Sequence, residues 1–496
     1  MNIRGFTTEL RRDATDPLHL QIQRGIRLAI ARGDLRPLDP LPPVKSLAAQ
    51  LGVNRLTVLK ALSSLRGCGA IVGRRGRGYT VADNPLQRLM GTSEWRPSKR
   101  YKPLMLDAGH AHAEARWSEA ALVPPQPSEL ISFAAGAPAT DFFPVAELKR
   151  LTAKMFGKTD PRSFGYARPE GMPELREQLV ARFQRRGVDL NGLELLITSG
   201  AQQALDLLAR SIQRRSGIVL TESPTYFGGL AAFERGGFAV EGSPLDAGGI
   251  NVDALDGRLR RRTYDLLYVI PAFHNPTGLT TGEARRQELL RLAVARDLLV
   301  VEDDAFGEMR FTGKPARSLL ELRGAAKVLQ IGSFSKSLMP GLRIGWVLGP
   351  PEIIGPLKAL KATDDTCSST ISQMIAAHYL ASGAYDRHLR RIRRAYRGRC
   401  TAMVSAIRRY FPERVRHTVP KGGIHVWAVL PEHLNAVNLL PLAMRAGADY
   451  LPGPIFFPAG RSGTNCLRLN FSTHGAEQID RGMQILGELF RRALTT

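Results

Sequence analysis

Five short apolar runs recur between residues 195 and 332: LLIT (195–198), GIVLTE (217–222), DLLYVI (265–270), LLVVED (298–303) and KVLQIG (327–332). A helical pattern separates each from the next. Runs this short, apolar along their length instead of on alternate residues, suit strands buried on both faces, and alternation with helices sets such strands parallel in one sheet. The expectation is an α/β unit with a mainly parallel sheet, whose ligands gather beyond the carboxyl ends of the strands.

Polar residues fall at those ends. Ser199, Gly200, Ala201 and Gln202 follow the first run and open the helical AQQALDLLAR, where the free N–H groups of a first turn face an anion. Tyr226 follows the second run in ESPTYFGG, Asn275 follows the third in HNPTG, Asp303 ends the fourth, and Ser333, Ser335 and Lys336 end the fifth, with Arg343 close behind. An anion nest, an aromatic plate, an amide, a carboxylate and an amine together suit a flat, phosphorylated, pyridine-containing aldehyde. A buried lysine sheds its proton readily and forms a Schiff base with an aldehyde, the role expected of Lys336. Asp303 beside the ring nitrogen keeps the pyridine protonated as an electron sink. Asn275 donates to the phenolic oxygen, Tyr226 stacks on the ring, and Ser199 to Ala201 with Ser333 and Arg343 neutralise the phosphate, Ser335 standing among them.

Taken singly, each residue has a plainer reading: a strand-end Asp caps a helix, NPTG is a turn, a Tyr after SPT is core. Ser333 and Lys336 also spell SxxK, the nucleophile pair of penicillin-binding proteins, but no SDN or KTG follows in a plausible place, and in those proteins SxxK opens a helix, whereas here it ends a strand run.

The assembled set resembles the fold-type I aminotransferases. FGYARPEGMPELREQL, TSGAQQALDLLAR, PAFHNPTG, VVEDDAF, SFSKSLMPGLRIGW and CLRLNFS appear in that family's order across residues 131–496. The resemblance implies pyridoxal 5'-phosphate as cofactor, Arg468 in CLRLNFS as the clamp for a substrate or effector α-carboxylate, and Tyr166 as a phosphate ligand given by the partner subunit. One departure stands out: where the family offers a tyrosine two or three residues after the aspartate, this chain has Ala305 and Phe306, and neither carries a hydroxyl.

A different pattern fills the first eighty residues. PLHLQIQRGIRLAIARG (17–33) puts Leu18, Ile22, Ile26, Ala29 and Ile30 on one helical face; VKSLAAQLG (44–52) is a short helix ended by Gly52; and NRLTVLKALSSLR opens on Asn54, a good N-cap, and buries Val58, Leu62 and Leu65. Helix, tight turn, helix is the pattern whose second helix enters a major groove, here with Asn54, Arg55 and Thr57 at its leading end. AIVGRRGRGYTV (70–81) then reads as two strands around a turn carrying Arg74, Arg75 and Arg77, suited to phosphate or minor-groove contact. LPPVKSLAAQLGVNRLTV resembles the GntR-type winged helix, with two departures: Leu38 where that family has a turn glycine, and Lys45 where it has arginine, which weakens one phosphate contact by removing the bidentate fork.

Between the two patterns, residues 84–128 are proline-studded and without sustained periodicity, a linker that places a DNA-binding domain at 1–83 and an aminotransferase-like domain at 129–496. His110 and His112 lie in it without acidic or cysteine partners nearby, so no metal is expected. Charge follows the division. Of a net +24, residues 1–102 contribute 19 − 7 = 12, which favours a basic N-terminal module; RRIRRAYRGR (390–399) is read as a solvated helix face. The four cysteines are scattered, no run approaches a membrane span, and MNIRGFTTELRRD lacks the apolar centre of a signal peptide, so a cytoplasmic protein with buried thiols is expected.

A winged helix ahead of such a domain resembles the MocR-type regulators, which implies a homodimer, often with swapped DNA-binding domains, on paired operator half-sites of double-stranded DNA. The leading expectation is a transcription factor that senses a small amine, amino acid or vitamin B6 compound. The alternatives are a working aminotransferase with a DNA-binding appendage and, third, a first module that contacts protein instead of DNA.

Overall fold

The computed structural model describes residues 10, 16–32, 34–35, 37–67, 70–74, 78–82, 130–157, 159–212, 217–314, 316–458 and 462–495. The expected linker with His110 and His112, Cys68, and the turn arginines Arg75 and Arg77 lie outside the described residues. The chain divides into two compact units, within residues 1–108 and 109–496.

In the first unit, α1 (Leu18–Arg32), α2 (Val44–Leu51) and α3 (Arg55–Gly67) precede the antiparallel pair β1 (Ile71–Arg74) and β2 (Gly78–Val81). Ile22 and Ile26 of α1, Leu47 and Ala48 of α2, and Val58, Leu62 and Leu65 of α3 are all buried in one core with Ile71 and Val81. Gly52 ends α2 at φ 64°, a left-handed turn that a side chain would strain, and this sharp stop separates α2 from α3. Asn54 caps α3, its Oδ1 accepting the Leu56 N–H at 3.0 Å. Leu38 donates its N–H to Val81 O (3.1 Å) and Leu41 to Tyr79 O (2.8 Å), so the segment before α2 lines up along the wing. This is a winged helix-turn-helix.

In the second unit all five expected strands form. They are β3 (Glu194–Thr198), β4 (Ile218–Ser223), β7 (Leu266–Val269), β8 (Leu299–Asp303) and β9 (Val328–Ser333); β5 (Ala239–Asp246), β6 (Gly249–Ile250) and β10 (Gly345–Gly349) complete an eight-stranded sheet. Its order is β3-β10-β9-β8-β7-β4-β5-β6. From β9 to β5 every neighbour is parallel, while β10 runs antiparallel between β9 and β3. The fold is α/β with a mainly parallel sheet. A smaller antiparallel sheet, β11 (Arg416–His417), β12 (His425–Val429), β13 (Leu451–Pro452) and β14 (Cys466–Asn470), carries the C-terminal part in the order β11-β12-β14-β13.

The segment RRIRRAYRGR lies on the helix Ala384–Tyr410, with Ile392, Tyr396 and Cys400 inward and Arg390, Arg391, Arg394 and Arg397 exposed. Cys400 and Cys466 are buried and Cys367 half-buried. Lys336 does not open a helix, as a penicillin-binding SxxK would: residues 334–338 form a turn between β9 and a short 3-10 segment, Pro340–Leu342. Pro340 and the left-handed Arg343 leave no room for a helical run there. Among the described residues, no helix is long and apolar enough to cross a membrane and no cluster of His, Cys, Asp and Glu could hold a metal.

Candidate functional site

The strand ends converge on one cavity of about 320 Å3, whose walls include Ala201, Tyr226, Asn275, Asp303, Ser333, Ser335, Lys336, Arg343 and Arg468. Lys336 reaches it from the turn after β9, where its Nζ donates to Gly136 O at 2.8 Å. Burial first, then the guanidinium groups of Arg468 and Arg343, push its amine down to about 8, against the opposing pull of Asp303. Asp303 sits at the end of β8. Tyr268 donates its hydroxyl to Asp303 Oδ2 at 2.8 Å and the Ala305 N–H donates to Oδ1 at 3.1 Å. Burial raises the Asp303 pKa while these two bonds and Lys336 hold it down.

Arg468, fully buried on β14, donates to Asn275 Oδ1 (3.0 Å) and to Ala134 O (2.7 Å) and lies over the Phe456 ring. Its Nε, also buried, has no hydrogen-bond partner among the described residues. Burial holds this guanidinium below its ordinary range, and an unpaired buried cation invites an anion.

Arg343 is held at φ 53° with its guanidinium donating to Ser199 O at 2.9 Å. Two glycines permit this approach. A Cβ on Gly200 would stand 2.7 Å from the Arg343 guanidinium, and one on Gly345 would stand 2.6 Å from the Gly200 carbonyl carbon. The result sets a cation beside the first turn of the helix Ala201–Ser211, where N–H groups already favour negative charge.

Three residues expected at the site lie elsewhere. Ser199 turns its hydroxyl away from the cavity, within 3.2 Å of both Asp365 and Ser368, while its N–H donates to Gln203 Oε1 at 2.7 Å; Gly200 is covered by Arg343, and neither is among the cavity walls. Tyr166 is 89% exposed and also does not line this protomer's cavity. Phe306 does line it, buried, its ring edge-on to His425 at 5.5 Å. Two contributors, Gly136 and Tyr268, were not read from the sequence, and Gln202 was read only as part of the helix start after the first run. Gln202 lines the cavity and accepts from the Tyr226 hydroxyl, Gly136 accepts from Lys336, and Tyr268 braces Asp303. The one signal for Tyr268 is a lone hydroxyl inside the run DLLYVI.

In the first unit Lys45, Asn54 and Arg55 are exposed and Thr57 is half-buried. Only the backbone of Arg74 is described, pairing with Gly78. Leu56, 72% exposed beside Arg55, is a large apolar side chain on the surface that was not foreseen from the sequence.

Residues 128–486 match the family "Aminotransferase class I and II", and residues 18–81 match "Bacterial regulatory proteins, gntR family". The HTH-type transcriptional regulator YisV of Bacillus subtilis (strain 168) is 30% identical over 96% of this chain and 97% of its own length. A Rhizobium meliloti protein described as "Probable rhizopine catabolism regulatory protein MocR" is 28% identical over 95% of this chain and 98% of its own. The chain belongs to the MocR-type regulators. The chain also superposes on the crystal structure of Pyrococcus horikoshii kynurenine aminotransferase in complex with PMP, with a TM-score of 0.75 and 33% identity, covering 82% of this chain and all of the other.

As a MocR-type regulator the protein binds DNA through its gntR-family unit, and its aminotransferase class I and II unit takes pyridoxal phosphate as cofactor. The cavity fits that group on its own chemistry: an amine with a depressed pKa, a buried carboxylate, an aromatic wall and a cation at a helix start surround the same space.

Proposed function

We propose that this MocR-type regulator uses its aminotransferase-like unit to sense a small amine, amino acid or vitamin B6 compound and thereby changes how it holds its operator. When bound, pyridoxal phosphate supplies an aldehyde that couples to amines and a ring that withdraws electrons. Lys336 holds it covalently. Asp303, braced by Tyr268, keeps a proton at the ring nitrogen; Asn275 donates to the phenolic oxygen; Tyr226 covers the ring face; and Ala201, Ser333, Ser335 and Arg343 take the phosphate. Arg468 receives the effector carboxylate, with Nε still free to donate to it.

The observation that carries the sensor reading is Phe306, a ring without a hydroxyl at the wall of the cavity. A hydrogen bond to a charged group is worth about 1.5–3 kcal/mol, so its loss slows proton transfer about ten- to a hundredfold while leaving the amine site intact. The exposed Tyr166 supports a homodimer in which each subunit completes its partner's phosphate site. Residues 84–128 serve as the linker, and Lys45, Arg55, Arg74, Arg75 and Arg77 hold the phosphates or bases of the operator with Asn54 and Thr57.

Operator affinity and DNA bending should differ among the apo protein, the cofactor form and the cofactor form with candidate amino acids; identical values in all three would remove the sensor. Lys336→Ala should lose the borohydride-trapped adduct seen by mass spectrometry. Phe306→Tyr should raise turnover. Rapid multiple turnover by the wild type with an ordinary amino acid and keto acid would make the protein an enzyme with a DNA-binding appendage.

A further inference from the structure

The loop Asp303–Arg310 has two faces. Asp303, Ala305 and Phe306 line the cofactor cavity, whereas Asp304, Gly307, Glu308 and Arg310 line a second, more open cleft of about 730 Å3. The size is that of a small-molecule site.

The carboxylates of this cleft are spoken for. Arg182 pairs with Glu308 (Nε to Oε1, 2.7 Å) and Asp386 (2.8 Å), and Arg186 pairs with Glu321 (3.0 Å) and Asp304 (3.4 Å). Facing them, Arg286, Arg310 and Arg393 line the same cleft, and among the described residues none of the three has a carboxylate partner. Arg286 is satisfied by the carbonyls of Thr281, Arg317 and Pro271. Arg393 spends only its Nε, on Glu308 O at 2.6 Å. Arg310 lies 5.1 Å over the Phe273 ring with a single long contact to Thr312 O. All three line one cleft, and burial, then the charges of Arg286 and Arg393, hold the Arg310 guanidinium below its ordinary range. Like charges kept together in a partly enclosed space, with most of two planar forks unspent, make a receptor for an anion.

We propose that this cleft binds a small anion with at least two acidic oxygens, a dicarboxylate or a phosphate ester, gripped by Arg310 and Arg393, and that its occupation is transmitted to the cofactor cavity through the shared loop. The path is short. Glu308, whose carbonyl holds Arg393, also meets the hydroxyl of Tyr385, which bridges to Ser337, the residue next to Lys336. An anion that draws Arg393 and Arg310 inward pulls on the loop that carries Asp303 and Phe306. The proposal is independent of whether the cavity senses or catalyses.

The test uses the full-length protein loaded with cofactor, so that the phosphate site of the first cavity is already filled. Citrate and inorganic phosphate serve as probes in separate calorimetric titrations, which distinguishes carboxylate from phosphate recognition. One of them should bind saturably to the wild type, at least tenfold more weakly to Arg310→Gln or Arg393→Gln, undetectably to the double variant, and at an intermediate strength to Arg310→Lys. Cofactor absorption and the thermal midpoint confirm that each variant is folded. The visible spectrum of the bound cofactor should shift as the probe saturates the wild type and stay fixed in the double variant. Non-saturable binding of both probes, or equal affinity in the double variant, overturns the site. Saturable binding with an unmoved spectrum overturns its coupling to the cofactor.

Discussion

The two units place their cations in opposite surroundings. Lys45 and Arg55 stand exposed on the first unit, where water and salt screen each charge from the next; Lys336 and Arg468 wall the cavity of the second, with Arg343 at its rim, and there the charges act on one another strongly enough to shift an amine. The exposed set grips a polyanion by number. The enclosed set tunes the reactivity of a single nitrogen.

That contrast predicts a steep pH dependence on one side. Covalent loading of the apo protein needs the free amine of Lys336, which is scarce below about 8 and abundant above it. The loading rate should therefore rise about fiftyfold from pH 6 to pH 8 and level off beyond, whereas an ordinary lysine keeps gaining until about pH 10.4. Stopped-flow absorbance across pH reads this directly, and a rate still climbing at pH 10 would mean that Lys336 is not depressed. Because Arg343 contributes to the depression, Arg343→Ala should move the plateau to higher pH as well as weaken cofactor binding.

On the exposed side the expectation is independence. Lys45→Ala and Arg55→Ala should each lower the slope of log affinity against log salt by about 0.9 where the residue neutralises a phosphate, and their free-energy costs should add to within about 0.5 kcal/mol. A coupling energy above that in a double-mutant cycle on the mapped operator would erase the distinction between the two regions.

How far each region was legible follows from the same difference. Strand ends converge by topology, so Asn275, Asp303 and Lys336 could be placed together from five apolar runs alone. Ser199 could not be resolved, because the direction of its hydroxyl depends on Asp365 and Ser368, more than 160 residues away. Gly136 and Tyr268 were missed, and the contact of Gln202 with Tyr226 was not foreseen, because each acts through a tertiary contact that no local pattern announces. On the first unit the helices were readable from periodicity, but which side chains stay exposed, Leu56 above all, depends on how α2 and α3 pack.

The smallest predicted effect compares one backbone feature in both units. Leu38 and Arg343 are non-glycine residues in left-handed backbone, at φ 69° and φ 53°. An L-residue pays about 1–2 kcal/mol there, of which the extra chain entropy of glycine in the unfolded state returns roughly 0.4–1. Leu38 is 67% exposed, so little packing is lost with its side chain, and its N–H bond to Val81 O survives the change. Leu38→Gly should stabilise the winged helix by about 0.5–1 kcal/mol, read from chemical denaturation of the full-length protein, with operator affinity unchanged. Arg343→Gly relieves the same strain but removes the guanidinium beside the helix start, so cofactor affinity should fall whatever happens to stability. If Leu38→Gly destabilised the first unit, its left-handed turn would be one that the leucine side chain supports, and the parallel between the two positions would end.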